Sequence, residues 1–200
     1  MQKTNHNIGS TISRKGVVWN MLGSGMFGAS SVLLLALVSH VTDTEQAGVF
    51  SVAFSTAQLL YMIGLFGSNH FQMTDYTERY LFSAYKGLKI VSSGLMLAGG
   101  FLLSWILGFN AEKTILTLLL TLYLLLSSAG ELYQSMFFQK NRLDISGQSI
   151  FYRTLIATLA FAAVILWSKN VFYASAALIV ASVIGLAIWA LRPAREFMPG

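Results

Sequence analysis

The side chains best able to do chemistry in this chain stand where such side chains are rare, inside long apolar runs. Glu131 and Gln134 lie three residues apart towards the end of one run. Arg153 falls one turn into the next, Gln58 midway along an earlier one, and Asn20 near the start of the first. An ionisable or amide group at membrane depth costs up to ~3 kcal/mol on insertion scales, so it faces protein or water rather than lipid. Glu131 and Arg153 fall at similar depth on consecutive runs. They either form an interhelical ion pair, which lowers the insertion cost of both, or reach out to the nearby interface. Gln58 has no such escape from mid-run, and it either bonds a neighbouring helix or meets a ligand.

No covalent chemistry is legible. His6, His40 and His70 are scattered over the amino-terminal segment and connections without metal-ligand spacing, and the chain has no cysteine. No nucleophile elbow, phosphate-loop or zinc-protease pattern occurs. The glycines from Gly23 to Gly28 lie within an apolar run with no strand before them, so they are not a phosphate cradle. Dispersed carboxylates can serve intramembrane enzymes, but no pattern here supports one. The chain is therefore expected not to be an enzyme, with no catalytic residues, no metal and no cofactor.

The elements that must position these residues follow from composition. Of 200 residues, 55% are hydrophobic and only 10% charged, against roughly 25% charged in a soluble domain. So few charges cannot cover a water-facing surface. Spanning about 30 Å of hydrocarbon takes roughly 20 apolar residues. Six stretches meet this: Val17 to Ser39, Gly48 to Ser68, Gly87 to Phe109, Thr114 to about Phe138, Ile150 to Ser168, and Val171 to Leu191. The first runs for 23 residues, longer than the roughly 7 to 15 of a secretory signal, and is read as a retained helix. The fold class is all-α, a polytopic bundle of six transmembrane helices. Residues 1–16 form a cytoplasmic segment, 17–191 a transmembrane lobe and 192–200 a cytoplasmic tail.

Charge sorts the connections. The links after the first, third and fifth spans hold only Lys113 and Lys169 as cations. The other eleven of the thirteen Lys and Arg side chains, among them Lys3, Lys15, Lys86, Lys89, Lys140 and Arg192, belong to the opposite side. Both termini are thus expected in the cytoplasm. The net charge of +5 reflects these basic connections and calls for no nucleic-acid partner. In the connection from Asn69 to Lys86, Phe71, Tyr76, Tyr80, Phe82 and Tyr85 interleave with Asp75, Glu78, Arg79 and Lys86. That pattern fits a short amphipathic helix in the headgroup region or a plain aromatic belt. Gln139 to Ser149, with Gly147, reads as a cytoplasmic turn. Small residues cluster on the first span (Gly23, Ser24, Gly25, Gly28, Ala29), the third (Gly94, Ala98, Gly99, Gly100) and the sixth (Ala174, Ala176, Ala177, Ala181). Such faces let helix backbones approach closely.

Two stretches go beyond generic membrane character. One runs from Gly67 through Asn69, His70 and Gln72 to Asp75, followed by Tyr80, Phe82 and Tyr85. The other comprises Glu131, Tyr133 and Gln134, then Phe138 to Asp144, Gly147 and Arg153. Together with Trp19 and Asn20 before a glycine-rich helix, and the Gly48, Val49, Phe50, Ser51 start of the second span, they resemble the polysaccharide transporters. These are the O-antigen and capsule-repeat flippases of the multidrug, oligosaccharide-lipid and polysaccharide exporter superfamily. The likeness covers about residues 14 to 165 and consists of family-typical patterns, not catalytic fingerprints; Asn69 and His70 stand where relatives favour an arginine.

The resemblance implies a transporter with two helical lobes around a central cavity. It would move undecaprenyl-diphosphate-linked oligosaccharide across a bacterial cytoplasmic membrane for polysaccharide biosynthesis. Under it, Asn20, Gln58, Glu131 and Arg153 are expected to face the substrate, and Gln72, Asp75, Arg79, Arg142 and Asp144 to shape a cytoplasmic gate. The expected partners are the lipid-linked oligosaccharide, the bilayer and a second lobe. Six spans suffice for one lobe, so the chain reads as the first half of a longer transporter or one that pairs with another lobe. Two alternatives stay open: a non-transporting subunit that docks a polysaccharide synthase or polymerase, and a small-solute or drug exporter of the same superfamily.

Overall fold

Between Val17 and Leu191 the chain has no proline, so nothing in the backbone interrupts long helices. In lipid the helix is also the one local structure that satisfies every backbone N–H and C=O within its own segment. In the computed structural model, residues 14–75 and 79–197 are described. Lys3, His6, Tyr76 and Glu78, and residues 198–200 of the tail, lie outside them. Among the described residues all regular structure is helical: α1 (Arg14–Val41), α2 (Thr44–Leu65), α3 (Ser68–Thr74), α4 (Phe82–Ile106), α5 (Ala111–Gln139), α6 (Leu143–Ser168) and α7 (Val171–Leu186). A π-helical turn, Ala187–Leu191, and a last α turn, Arg192–Ala194, prolong α7. Six of these are long and apolar enough to cross a membrane: α1, α2, α4, α5, α6, and α7 with its extension to Ala194. The protein is a multi-pass membrane helix bundle.

Side-chain caps make the three short links short. Asp43 accepts the Gln46 N–H at 2.7 Å, Asn110 accepts that of Lys113 at 2.9 Å, and Asn170 accepts those of Phe172 and Tyr173 at 2.9 and 3.3 Å. Each cap satisfies donors that a helix start leaves orphaned, so α2, α5 and α7 begin at once after the preceding helix ends.

At the basic end the helices run further than their apolar stretches. α4 starts at Phe82, not Gly87, and α6 at Leu143, not Ile150, because polar residues continue a helix outside the hydrocarbon. This corrects two readings. The Asn69 to Lys86 connection is not one interfacial helix: α3 ends at Thr74, and Phe82 and Tyr85 belong to α4. Lys89, counted with the connections, lies two turns inside α4 and is buried. The chain leaves α2 through Phe66 (φ 42°) and Gly67 (φ 65°), where glycine meets the left-handed region without strain. α3 then turns back along α5.

α5 is the hub, packed against α2, α4, α7, α6 and α3, while α1 lies chiefly on α6. Lipid tails solvate leucine as well as another helix does, so close approach of small residues matters more than apolar burial. A Cβ on Gly147 would overlap the backbone of Trp19 and Asn20, and one on Gly23 would stand 2.6 Å from the Gly147 oxygen. Ala174 and Ala181 of α7 are buried as well. Gly99 and Gly100 approach Leu60 and Leu118, whereas Gly25, Gly28 and Gly94 meet nothing within 4 Å.

The bundle is chemically divided along its length. Towards the short links it is filled by Leu34, Phe50, Phe54, Leu116, Leu120, Phe161 and Ile165, with the Phe50 ring 5.7 Å from those of Phe54 and Phe161. Among the described residues, the buried charges and amides (Asn69, Gln72, Lys89, Gln134) lie in the other half.

Candidate functional site

The polar half is built around the end of α2. Because the helix stops at Leu65, the Gly64 carbonyl is among the last four, which a helix leaves without an intrahelical donor, and it sits at the negative pole of the helix dipole. Three side chains converge on it: Lys89 Nζ at 3.0 Å, Ser128 Oγ at 2.9 Å and Ser92 Oγ at 3.2 Å. Lys89 Nζ also donates to Ser128 Oγ at 3.0 Å and to Asn69 Oδ1 at 3.4 Å. A buried ammonium with three acceptors is solvated by the protein, which is how a lysine is tolerated at this depth.

Asn69 carries the network onward. Its Nδ2 donates to Glu131 Oε2, and the Tyr61 hydroxyl donates to Glu131 Oε1. Both carboxylate oxygens are thereby satisfied, and Lys89, Asn69, Glu131 and Tyr61 tie α4, α3, α5 and α2 into one hydrogen-bonded chain.

Arg153 is held differently. Its guanidinium lies where a side chain on Gly130 would be, and its Cγ and Cα pack over Gly185 in the last turn of α7, just before the π-helical extension. A Cβ at Gly185 would stand 3.1 Å from Arg153 Cγ. The π turn brings Trp189 to stack on Tyr152, centroids 5.8 Å apart. Arg153 Nη1 is buried with no hydrogen-bond partner. The anticipated Glu131–Arg153 ion pair is not formed among the described residues, because Tyr61 and Asn69 occupy the carboxylate.

Glu131 and Arg153 nevertheless share a cavity of about 330 Å³. Its walls come from α1 (Asn20, Ser24), α5 (Glu131, Gln134) and α6 (Ser146, Arg153), with Phe27 and Met73 among the apolar residues. The structure thus brings Asn20, Glu131 and Arg153 together. Gln58 lies apart, its amide donating to Ser31 Oγ on α1 at 3.3 Å. The expectation that it faces the same site is therefore corrected: from mid-helix it found the nearest hydroxyl across the α1–α2 contact.

The five gate candidates divide into two groups at the basic end. The Asp75 carboxylate accepts the Arg79 and Tyr80 N–H groups at 3.0 and 3.2 Å and the Tyr85 hydroxyl at 3.0 Å, so it folds the connection between α3 and α4. Gln72, on α3 beside it, is buried. Arg142 and Asp144 form a separate exposed pair, Nε to Oδ1 3.0 Å and Nη2 to Oδ2 3.1 Å. The hydrogen bonds to Asp144 hold the Arg142 guanidinium above its ordinary pKa. An ion pair so open to solvent adds little stability.

Sequence reasoning missed Lys89, Tyr61 and Ser146, and marked Ser24 only as part of a small-residue face. For Lys89 the signal was present: Phe82 and Tyr85 are spaced to belong to the helix that carries it. Tyr61 looks in sequence like an ordinary helix residue, and Ser146 falls in the stretch read as a turn. No protein-family model, no curated protein and no solved structure matches the chain.

Proposed function

We propose that this chain is one lobe of a membrane transporter that moves an undecaprenyl-diphosphate-linked oligosaccharide between leaflets, without covalent chemistry. One observation carries the reading: a cavity inside a membrane bundle whose largely apolar wall, Phe138 and Ile150 included, also carries Asn20, Ser24, Glu131, Gln134, Ser146 and Arg153. A headgroup of sugars and phosphates must be shielded from lipid while it crosses, and a wet, hydrogen-bonding recess among helices provides the shield. The charge bias of the connections supports a cytoplasmic-half cavity, the side where such a substrate is made. A second lobe, supplied in the assay by a second copy of this chain, completes the enclosure. The likeness of the Gly67–Asp75 and Glu131–Arg153 stretches to polysaccharide flippases supports the choice of substrate.

The test is leaflet exchange of a labelled lipid-linked oligosaccharide in proteoliposomes. The expected result is exchange above that of protein-free vesicles, reduced about tenfold in Arg153→Gln, as loss of ~1.4 kcal/mol of headgroup contact would give. Exchange no faster than in empty vesicles, with the protein folded, sinks the proposal. A second reading, a subunit that docks a synthase or polymerase, draws on Gly25 and Gly28, whose α1 face is open within this lobe. Site-specific crosslinking from Gly28→Cys to such an enzyme, without leaflet exchange, would favour it.

A further inference from the structure

A second cavity, of about 340 Å³, opens at the basic end and shares no lining residue with the first. It lies among α3, the start of α4, the end of α5 and the tail, and its volume is within the roughly 300–1,000 Å³ of small-molecule sites. Tyr80, Phe82 and Tyr85 contribute rings from one side and Phe197 from another. The site is braced. Asp75 accepts from both the Tyr80 N–H and the Tyr85 hydroxyl, and the two tyrosine rings stand nearly perpendicular at 83°, centroids 6.3 Å apart. Gln139 Nε2 donates to the Asp75 carbonyl, tying the same turn to α5. In the wall lies Gln72, 1% exposed, with neither Nε2 nor Oε1 hydrogen-bonded.

Those groups specify a ligand by chemistry. An unpaired primary amide asks for an acceptor and a donor side by side. Lys140 also lines the cavity and would meet an anion, but phosphate at neutral pH offers chiefly acceptors and would leave Gln72 Oε1 unanswered; an aliphatic chain answers neither. Neighbouring hydroxyls, or an acetamido group, answer both. Aromatic faces set at right angles suit a ring with C–H groups on its faces and hydroxyls at its edge. We propose that this cavity is a saccharide subsite that takes a neutral or N-acetylated pyranose, with Tyr80 and Tyr85 as its stacking walls and Gln72 as its hydrogen-bonding partner. Its place at the basic end makes it a docking station for the glycan before the headgroup enters the central cavity. That role rests on the transport reading, whereas the sugar chemistry rests on the cavity alone.

The experiment is saturation-transfer NMR with the full chain in lipid nanodiscs, free of glycoside detergents. The probes are methyl N-acetylglucosaminide, methyl glucoside, and glycerol 1-phosphate as the phospholipid headgroup analogue. Saturation should reach the pyranose protons, and affinity should fall about tenfold in Gln72→Leu and in Tyr80→Ala, while Tyr80→Phe, which keeps the ring, retains it. Circular dichroism identifies any variant that fails to fold; Tyr80 is 65% exposed, so its replacement leaves packing intact. No transfer to either sugar, transfer unchanged in both variants, or displacement of the sugars by glycerol 1-phosphate overturns the assignment. Sugar transfer in a protein that gives no leaflet exchange overturns the transport reading alone; leaflet exchange without sugar transfer overturns this subsite alone.

Discussion

Gly130 on α5 has no side chain where the Arg153 guanidinium of α6 lies. The hydrogen atom at that Cα lets a long cation fold against the hub helix, beside the cavity it shares with Glu131, without displacing a helix. Gly130→Ala fills the slot. The obstructing atoms are the far end of a flexible side chain, so the backbone need not move and destabilisation should stay near 1–2 kcal/mol, the low range of overpacking. Leaflet exchange should fall as in Arg153→Gln. Thermal unfolding in nanodiscs, run beside the exchange assay, checks both parts.

Gly147→Ala should behave in the opposite way. Its new Cβ meets the Trp19 and Asn20 backbone, which cannot rotate aside, so α1 must separate from α6. A loss of about 3 kcal/mol or more is expected, seen as a large drop in Tm. Gly94→Ala, with open space around it, is the control and should leave Tm within the scatter of a surface change.

Lys89 and Glu131 do not touch, yet Asn69 bonds both of these opposite charges. Removing one partner strands the other in a water-poor interior, at a cost of about 3 kcal/mol or more. Lys89→Met and Glu131→Gln should each destabilise strongly. The double variant should be less destabilised than the sum, with a coupling of about 1 kcal/mol or more. A double-mutant cycle by detergent-unfolding titration measures it; strict additivity would show that the chain through Asn69 carries no energy.

Gln58→Leu should cost little. Its bond to Ser31 spans a helix contact in lipid, where such bonds average about 0.6 kcal/mol, and Leu keeps the volume. Transport should persist once expression is matched, which separates Gln58 from the cavity residues.

Asp75→Ala should release the turn between α3 and α4. The Arg79 and Tyr80 amides lose their acceptor, and their hydrogen exchange should quicken while the amides of α5 remain protected. Exchange mass spectrometry resolves the two segments.

The six spans and the even count that puts both ends on one side were determined by sequence alone. Hydrocarbon thickness fixes a helix's length, and loop charge is a matter of counting. Sequence also marked Asn20, Glu131 and Arg153 as costly at their depth. Whether they met one another was a tertiary question, because each could turn to lipid, interface or neighbour depending on helix rotation. The rotation of α5 gave the Glu131 carboxylate to Tyr61 and Asn69, placed Gly130 against Arg153, and left that cation beside the cavity rather than in an ion pair. Lys89 shows the same limit: its charge read as a connection residue until the start of α4 at Phe82 carried it inside, to the Gly64 carbonyl that Ser92 and Ser128 also share. Hydropathy measures what each residue costs in the membrane, and only the packed helices decide which partner offsets that cost.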